Sequence, residues 1–192
     1  QGYAEALMQD CLSYMNKQRY DLSIMNAPTG FYVRYGYATV WPSYSLKVRA
    51  EDVAQLTSAV NVRPFVADDL PALMSLYESA SLTRVGAFLR DEAYWRWRLA
   101  HLQHVRVAAA GEGEVRGYMV GNTPAEVTEA VAADREATLA LLTDCARAVL
   151  AGGGSDCTIH VPPDDPFARW VLETCPVTMC QTSRPDAGWM AR

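Results

Sequence analysis

The densest group of residues able to do chemistry is Phe31-Tyr32-Val33-Arg34-Tyr35-Gly36-Tyr37, entered through Asn26-Ala27-Pro28-Thr29-Gly30. Turn residues, packed aromatics and a base lie together there, directly after an apolar strand. Tyr32 is the residue of most interest, a phenol whose proton leaves at about pH 10 when nothing perturbs it. A smaller group opens the chain. Gly2-Tyr3-Ala4 stands at the start of a helix, where unpaired backbone N–H groups and the positive dipole end face an anion. Small residues there let anion oxygens approach the backbone. Alone, a Gly-x-Ala at a helix start also reads as ordinary packing; its weight comes from the Tyr32 stretch further on.

The elements that position these groups follow from periodicity. Ala4, Leu7, Met8, Cys11, Leu12 and Met15 recur at steps of three and four, one apolar stripe of a helix. Lys17 and Arg19 place positive charge in and after its last turn, which complements the dipole. A short buried strand over 22–25 follows, then a turn over 26–30 and a short helix over 31–35 stopped by Gly36. Two strands, over 38–41 and 44–48, are broken by Pro42-Ser43 and read as a hairpin or bulged pair.

Helix, strand, short helix, strand, strand, with these residues, resembles the second half of a GCN5-related N-acetyltransferase domain, the GNAT superfamily. It is closest to the tandem-domain type of the enhanced-intracellular-survival acetyltransferases. In that family a Gln/Arg-x-x-Gly-x-Gly/Ala motif opens the long helix and cradles the pyrophosphate of acetyl-coenzyme A; Gly2-Tyr3-Ala4 matches its last three positions. Phe31-Tyr32-x-Arg34-Tyr35-Gly36-Tyr37 resembles the family's fourth-helix signature. The resemblance implies Tyr32 as the general acid that protonates the coenzyme A thiolate. A phenol is a suitable donor to a thiolate of lower pKa. It also implies cofactor contacts from Gln1, Gly2, Tyr3 and Ala4, and from Asn26 and Ala27 at the strand end, Ala27 through its backbone alone. Tyr32 has a structural alternative, a core tyrosine with its hydroxyl at the surface. Phe31, Tyr35 and Tyr37 read as packing, and Arg34 as a solvated or salt-bridged base.

The rest of the chain repeats the family's order of elements. Strand over 62–66, helix from Asp68 or Asp69, and a second helical segment over 82–102 with Asp91 capping its final part come first. A hairpin about Gly111–Glu114, a strand over 126–132, a helix over 134–151 and a strand over 157–161 follow. A helix over 166–175 and strands over 177–182 and 188–191 close the chain. The expected fold is therefore α/β, a mixed-sheet acyl-CoA N-acyltransferase (GNAT) fold in which a partial first copy precedes a complete, degenerate second one. The implied division is 1–49 as the C-terminal half of a catalytic domain, 50–61 as linker and 62–192 as a non-catalytic domain. The second copy departs at the decisive point: Asp134-Arg135-Glu136 stands where a glycine loop would hold pyrophosphate, and its acids repel an anion. The chain opens at Gln1 already in a helical turn, with no Met and no strand before it, which reads as a start lacking the N-terminal half of the first domain.

Bulk composition narrows the partners. With half its residues hydrophobic, a fifth charged and a net charge of −5, the chain is globular and ill suited to nucleic acid. No apolar run reaches the ~20 residues of a membrane span. Five cysteines at irregular spacing fit reduced thiols in a cytoplasm better than a disulfide framework. His101 and His104, three apart, would share a helix face, but two imidazoles without a paired acid make a poor metal site, and no metal is expected. The reading is an acetyl-CoA-dependent transfer to a primary amine on a small molecule or peptide, in a cytoplasmic homo-oligomer, with activity requiring the missing N-terminal part. The rival is a binding or regulatory module that keeps the fold without transferring anything.

Overall fold

The computed structural model describes residues 2–82, 84, 86–111, 113–182 and 188–192. The chain divides into two compact units. The smaller takes the chain up to Ser43 together with Gln181–Arg192; the larger is Tyr44–Cys180.

In the smaller unit, the expected stripe of helix α1 (Tyr3–Lys17) is only partly covered: Met8 and Leu12 reach a small core around Tyr35, Tyr37 and Met190, while Ala4, Leu7 and Cys11 are exposed. Strand β1 (Ile24–Ala27) begins two residues later than its apolar run. Ser23, just before it, exchanges backbone hydrogen bonds with Arg192, at 2.9 and 3.0 Å. A single helical turn, α2 (Thr29–Tyr32), tightens into a 3-10 turn (Val33–Tyr35). Strand β2 (Ala38–Trp41) follows.

Strand β3 (Ser43–Arg49) does not pair with β2. It lies in a seven-stranded sheet built largely from later strands: β4 (Asn61–Pro64), β5 (His104–Ala110), β6 (Glu114–Thr123), β7 (Glu126–Ala132), β8 (Asp156–Ile159) and β9 (Val177–Thr182). Their order is β4-β5-β6-β7-β8-β3-β9. The last strand, β10 (Gly188–Ala191), instead fills the middle of a three-stranded sheet ordered β1-β10-β2.

The compact units therefore do not follow boundaries at 49 and 61. Each sheet takes a strand from the other end of the chain, antiparallel in both cases: β3 against β8, β10 against β1. The stretch read as a linker is also structured. Helix α3 (Ala50–Val53) buries Ala50 and Val53 in the larger core.

Four helices complete the larger unit: α4 (Leu70–Ser81), α5 (Glu92–Ala100), α6 (Arg135–Ala151) and α7 (Pro166–Thr174). Asp69, not Asp68, organises the start of α4: its carboxylate accepts from the Val66 amide at 2.9 Å and from Arg63 at 2.7 Å on each oxygen. The helix expected over 82–102 forms only after Asp91, which accepts the Tyr94 amide at 2.7 Å as its N-cap. Before it, residues 86–90 are irregular. The parallel pairing of β7 with β8 covers Glu126–Val127 against Thr158–Ile159.

Candidate functional site

The beginning of α1 leaves its first amides open. Gly2 sits in the left-handed region (φ 104°, ψ −13°), and no side chain caps the helix. The first helical bond runs from the Ala6 amide to the Gly2 carbonyl at 3.0 Å, so the amides ahead of Ala6 have no intrahelical acceptor. A left-handed residue leading into right-handed ones turns successive N–H groups toward one point, an anion nest. A Cβ placed on Gly2 would meet nothing within 4 Å, so the approach is open. These features fit a pyrophosphate; Glu5 is the acid of the first turn. Tyr3 and Ala4 are exposed. Gln1 lies outside the described residues.

Tyr32 ends α2. Its ring is half-buried, with Phe31 edge-on at 4.9 Å and Tyr37 at 6.1 Å between centroids. Its hydroxyl makes no hydrogen bond to a described residue. The chain leaves through Gly36, whose φ of 85° and N–H···O bond to Val33 at 3.0 Å close the 3-10 turn. A Cβ there would lie 3.1 Å from Nε of Arg192. Tyr37 is buried, and its hydroxyl is 2.6 Å from that of Ser23. Tyr32 and Phe31 share one apolar cluster with Met8 and Leu12 of α1, so the helix and the phenol pack on one small core, while the helix start itself is exposed.

Arg34 is exposed and makes no salt bridge among the described residues. Its guanidinium lies 4.3 Å from the centre of the Phe31 ring, and Nε donates to the Phe31 carbonyl at 3.1 Å. Asn26 and Ala27, read as the start of a turn, are the last two residues of β1, paired with Trp189 and Gly188. Sequence reasoning missed Ser23, Trp189 and Met190; no local pattern links them to the Tyr32 stretch, because the link is strand pairing across the length of the chain.

The matching helix of the larger unit is closed. Asp134 caps α6, its carboxylate accepting the Ala137 amide at 2.9 Å and pairing with Arg116 at 2.5 Å. The donors that α1 leaves open are here met by a carboxylate. His101 and His104 do not share a helix face: His101 caps α5, with Nδ1 2.6 Å from the Trp97 carbonyl, and His104 begins β5. No cluster of three metal-ligating side chains occurs among the described residues, and no helix is long and apolar enough to cross a membrane.

Fold and strand order define a mixed α/β protein of the GCN5-related N-acetyltransferase fold. The chain is similar to the GCN5-related N-acetyltransferase from Anabaena variabilis, with a TM-score of 0.73 and 18% identity, over 100% of this chain and 50% of that one. It is similar to the enzyme of the same description from Kribbella flavida, at 0.71 and 19%, over 100% and 48%. It is also similar to Eis1 from Mycobacterium abscessus, at 0.58 and 18%, over 98% and 52%. The chain thus spans about half the length of these proteins. No family model matches the sequence, and no curated protein matches it.

Proposed function

We propose that the smaller unit carries the cofactor and general-acid half of an acetyl-CoA-dependent N-acetyltransferase site. The observation that carries this reading is the uncapped, left-handed Gly2 start of α1, a helix that packs through Met8 and Leu12 on the cluster holding Tyr32, whose hydroxyl has no partner among the described residues. Acetyl-CoA, as acyl donor, supplies the thioester. Gly2, Tyr3 and Ala4 hold its pyrophosphate through backbone amides, with Gln1 beside them, and Asn26 and Ala27 border the acyl chain. A deprotonated primary amine, on a small molecule or peptide, attacks the thioester carbonyl. The C–N bond forms, the C–S bond breaks, and Tyr32 gives its proton to the departing thiolate. The proton lost by the amine leaves to solvent or to a base contributed from outside these residues.

The larger unit serves as a non-catalytic copy, a reading supported by the carboxylate of Asp134 at the head of α6. We place the protein in the cytoplasm, in line with its free cysteines, and propose that it acts as a homo-oligomer. The test is thiol release from acetyl-CoA with a panel of primary amines, full-length protein against Tyr32→Phe. General-acid loss costs about 10²–10⁴ in rate. A loss below about threefold, far under that range, removes Tyr32 from the mechanism.

A further inference from the structure

We propose that the cleft between α4 and α5 of the larger unit is a second ligand site, which takes an amphipathic amine: an ammonium group on an aromatic or apolar body. The cleft encloses about 780 Å³, within the ~300–1,000 Å³ of small-molecule sites. Its floor is aromatic, Tyr77 standing edge-on to Trp95 at 5.5 Å. Its rim is apolar and open. Leu82, Phe88 and Leu89 are 78%, 54% and 98% exposed, three large apolar side chains close in sequence on one cleft, where single exposed ones would need no explanation.

The charged lining decides the sign of the ligand. Arg90 is taken by Glu129, its two terminal nitrogens donating at 2.9 and 2.6 Å, and Arg84 is taken by Asp165 at 2.5 Å. Both cations of the wall are therefore paired, Arg90 through a carboxylate that Arg98 also approaches. The two carboxylates of the same wall, Glu78 and Asp91, have no cationic partner among the described residues. Asp91 accepts the Tyr94 amide as the N-cap of α5, where the helix dipole offsets part of its charge, so Glu78 is the freer of the two. Glu78, exposed at the mouth and without a cationic partner among the described residues, makes the potential there negative. An anion is repelled there, and a neutral apolar molecule leaves that potential unused. An ammonium on an apolar body satisfies rim and charge together, with Glu78 as its ion partner and the Phe88–Leu89 rim covering the body. Every residue of this site belongs to the larger unit, so the proposal stands apart from acetyl transfer.

The experiment is a calorimetric or NMR titration of the 192-residue chain, without acetyl-CoA, using phenylbutylammonium, phenylbutanol and phenylbutyrate. The ammonium is expected to bind tightest and the carboxylate weakest. Glu78→Gln, at an exposed helix position, should weaken the ammonium about three- to fivefold, the scale of one exposed ion pair. It should leave the alcohol and the melting temperature unchanged. Leu89→Ser should weaken ammonium and alcohol alike, and Tyr32→Phe should alter neither. The proposal is overturned if the ammonium shows no saturable binding, if the alcohol or carboxylate binds as tightly, or if Glu78→Gln leaves the ammonium affinity unchanged.

Discussion

The hydroxyls of Ser23 and Tyr37 lie 2.6 Å apart, a bond that ties the approach to β1 to the residue just ahead of β2. The two ends of this bond differ in what their loss leaves behind. Tyr37 is 2% exposed and stands edge-on to Tyr32, whereas Ser23 is only half-buried. Tyr37→Phe frees a serine that water can reach, a cost of about 0.5–1.5 kcal/mol. Ser23→Ala strands a buried phenolic hydroxyl, about 1–3 kcal/mol. Chemical denaturation should therefore rank the serine change as the more damaging, with the double variant no worse than Ser23→Ala alone. The reverse ranking would mean that Tyr37 has another partner.

Met190 is the hinge of the smaller unit's packing. It is fully buried and paired with Met25 of β1 on one side and Thr39 of β2 on the other. Those two strands meet only through β10, so the core has no second way to close. Met190→Ala should cost about 2–5 kcal/mol. Hydrogen exchange should show the loss locally: amides of 24–27 and 38–41 exchange faster while those of β5 to β7 keep their protection. Uniform acceleration throughout the chain would show instead that both units unfold as one.

Much of this architecture was legible from local pattern. The period of three and four over α1, the Gly36 stop and the Asp91 cap each act within a few residues, and each lies where the sequence places it; Asp134 stands just outside the helix it was read into, as its cap. What was not legible is where strands go. Residues 43–49 alternate and carry strand-forming side chains, but nothing in them states that Leu46 faces Ile159 and not β2. Nor does Gly188-Trp189-Met190-Ala191 announce a partner near residue 25. Pairing is a long-range property, set by which edge is free and which face is buried. At the candidate site, Tyr32 and Gly2 stood out by residue type. Arg34 is solvated, one of the two readings its sequence allows, but its stacking on Phe31 was not legible from spacing.

Glu129 holds the most heavily loaded polar cluster of the larger unit. It accepts both terminal nitrogens of Arg90 and the Tyr118 hydroxyl at 2.9 Å, with Arg98 at 3.6 Å. Arg90 also lies 3.7 Å from the Tyr77 ring centre. With the side chains of Arg90 and Glu129 only 9% and 15% exposed, Glu129→Ala leaves an uncompensated buried cation and should cost about 3–5 kcal/mol. Arg90→Met in the same chain should recover part of that. Burial, and after it the Glu129 charge, pushes the Tyr118 phenol well above its ordinary pKa. The folded protein then keeps a proton that the unfolded chain releases above about pH 10. The stability so linked is fully present below that pH and is lost as pH rises beyond it. Denaturation midpoints at about pH 8 and 11 should show this alkaline fall in the wild type and a shallower one in Tyr118→Phe.

The contrast between Gly2 and Asp134 gives the sharpest handle on the proposed cofactor site. Both stand at the head of a long helix, yet Gly2 leaves the first amides open while Asp134 spends a carboxylate on the Ala137 amide. Asp134→Ala should therefore cost stability, about 0.5–2 kcal/mol for a lost cap, and leave coenzyme A affinity untouched. Gly2→Val should do the opposite. At φ 104° a β-branched residue pays about 1–2 kcal/mol to hold the left-handed backbone, so it abandons the nest and the helix start loosens. The strain falls on a frayed, solvent-facing end, so global stability changes little. Coenzyme A affinity, measured by calorimetry on the full-length protein, should drop about tenfold, the equivalent of that strain. Equal affinity in Gly2→Val and wild type would dissociate α1 from pyrophosphate binding, whatever the outcome for Tyr32.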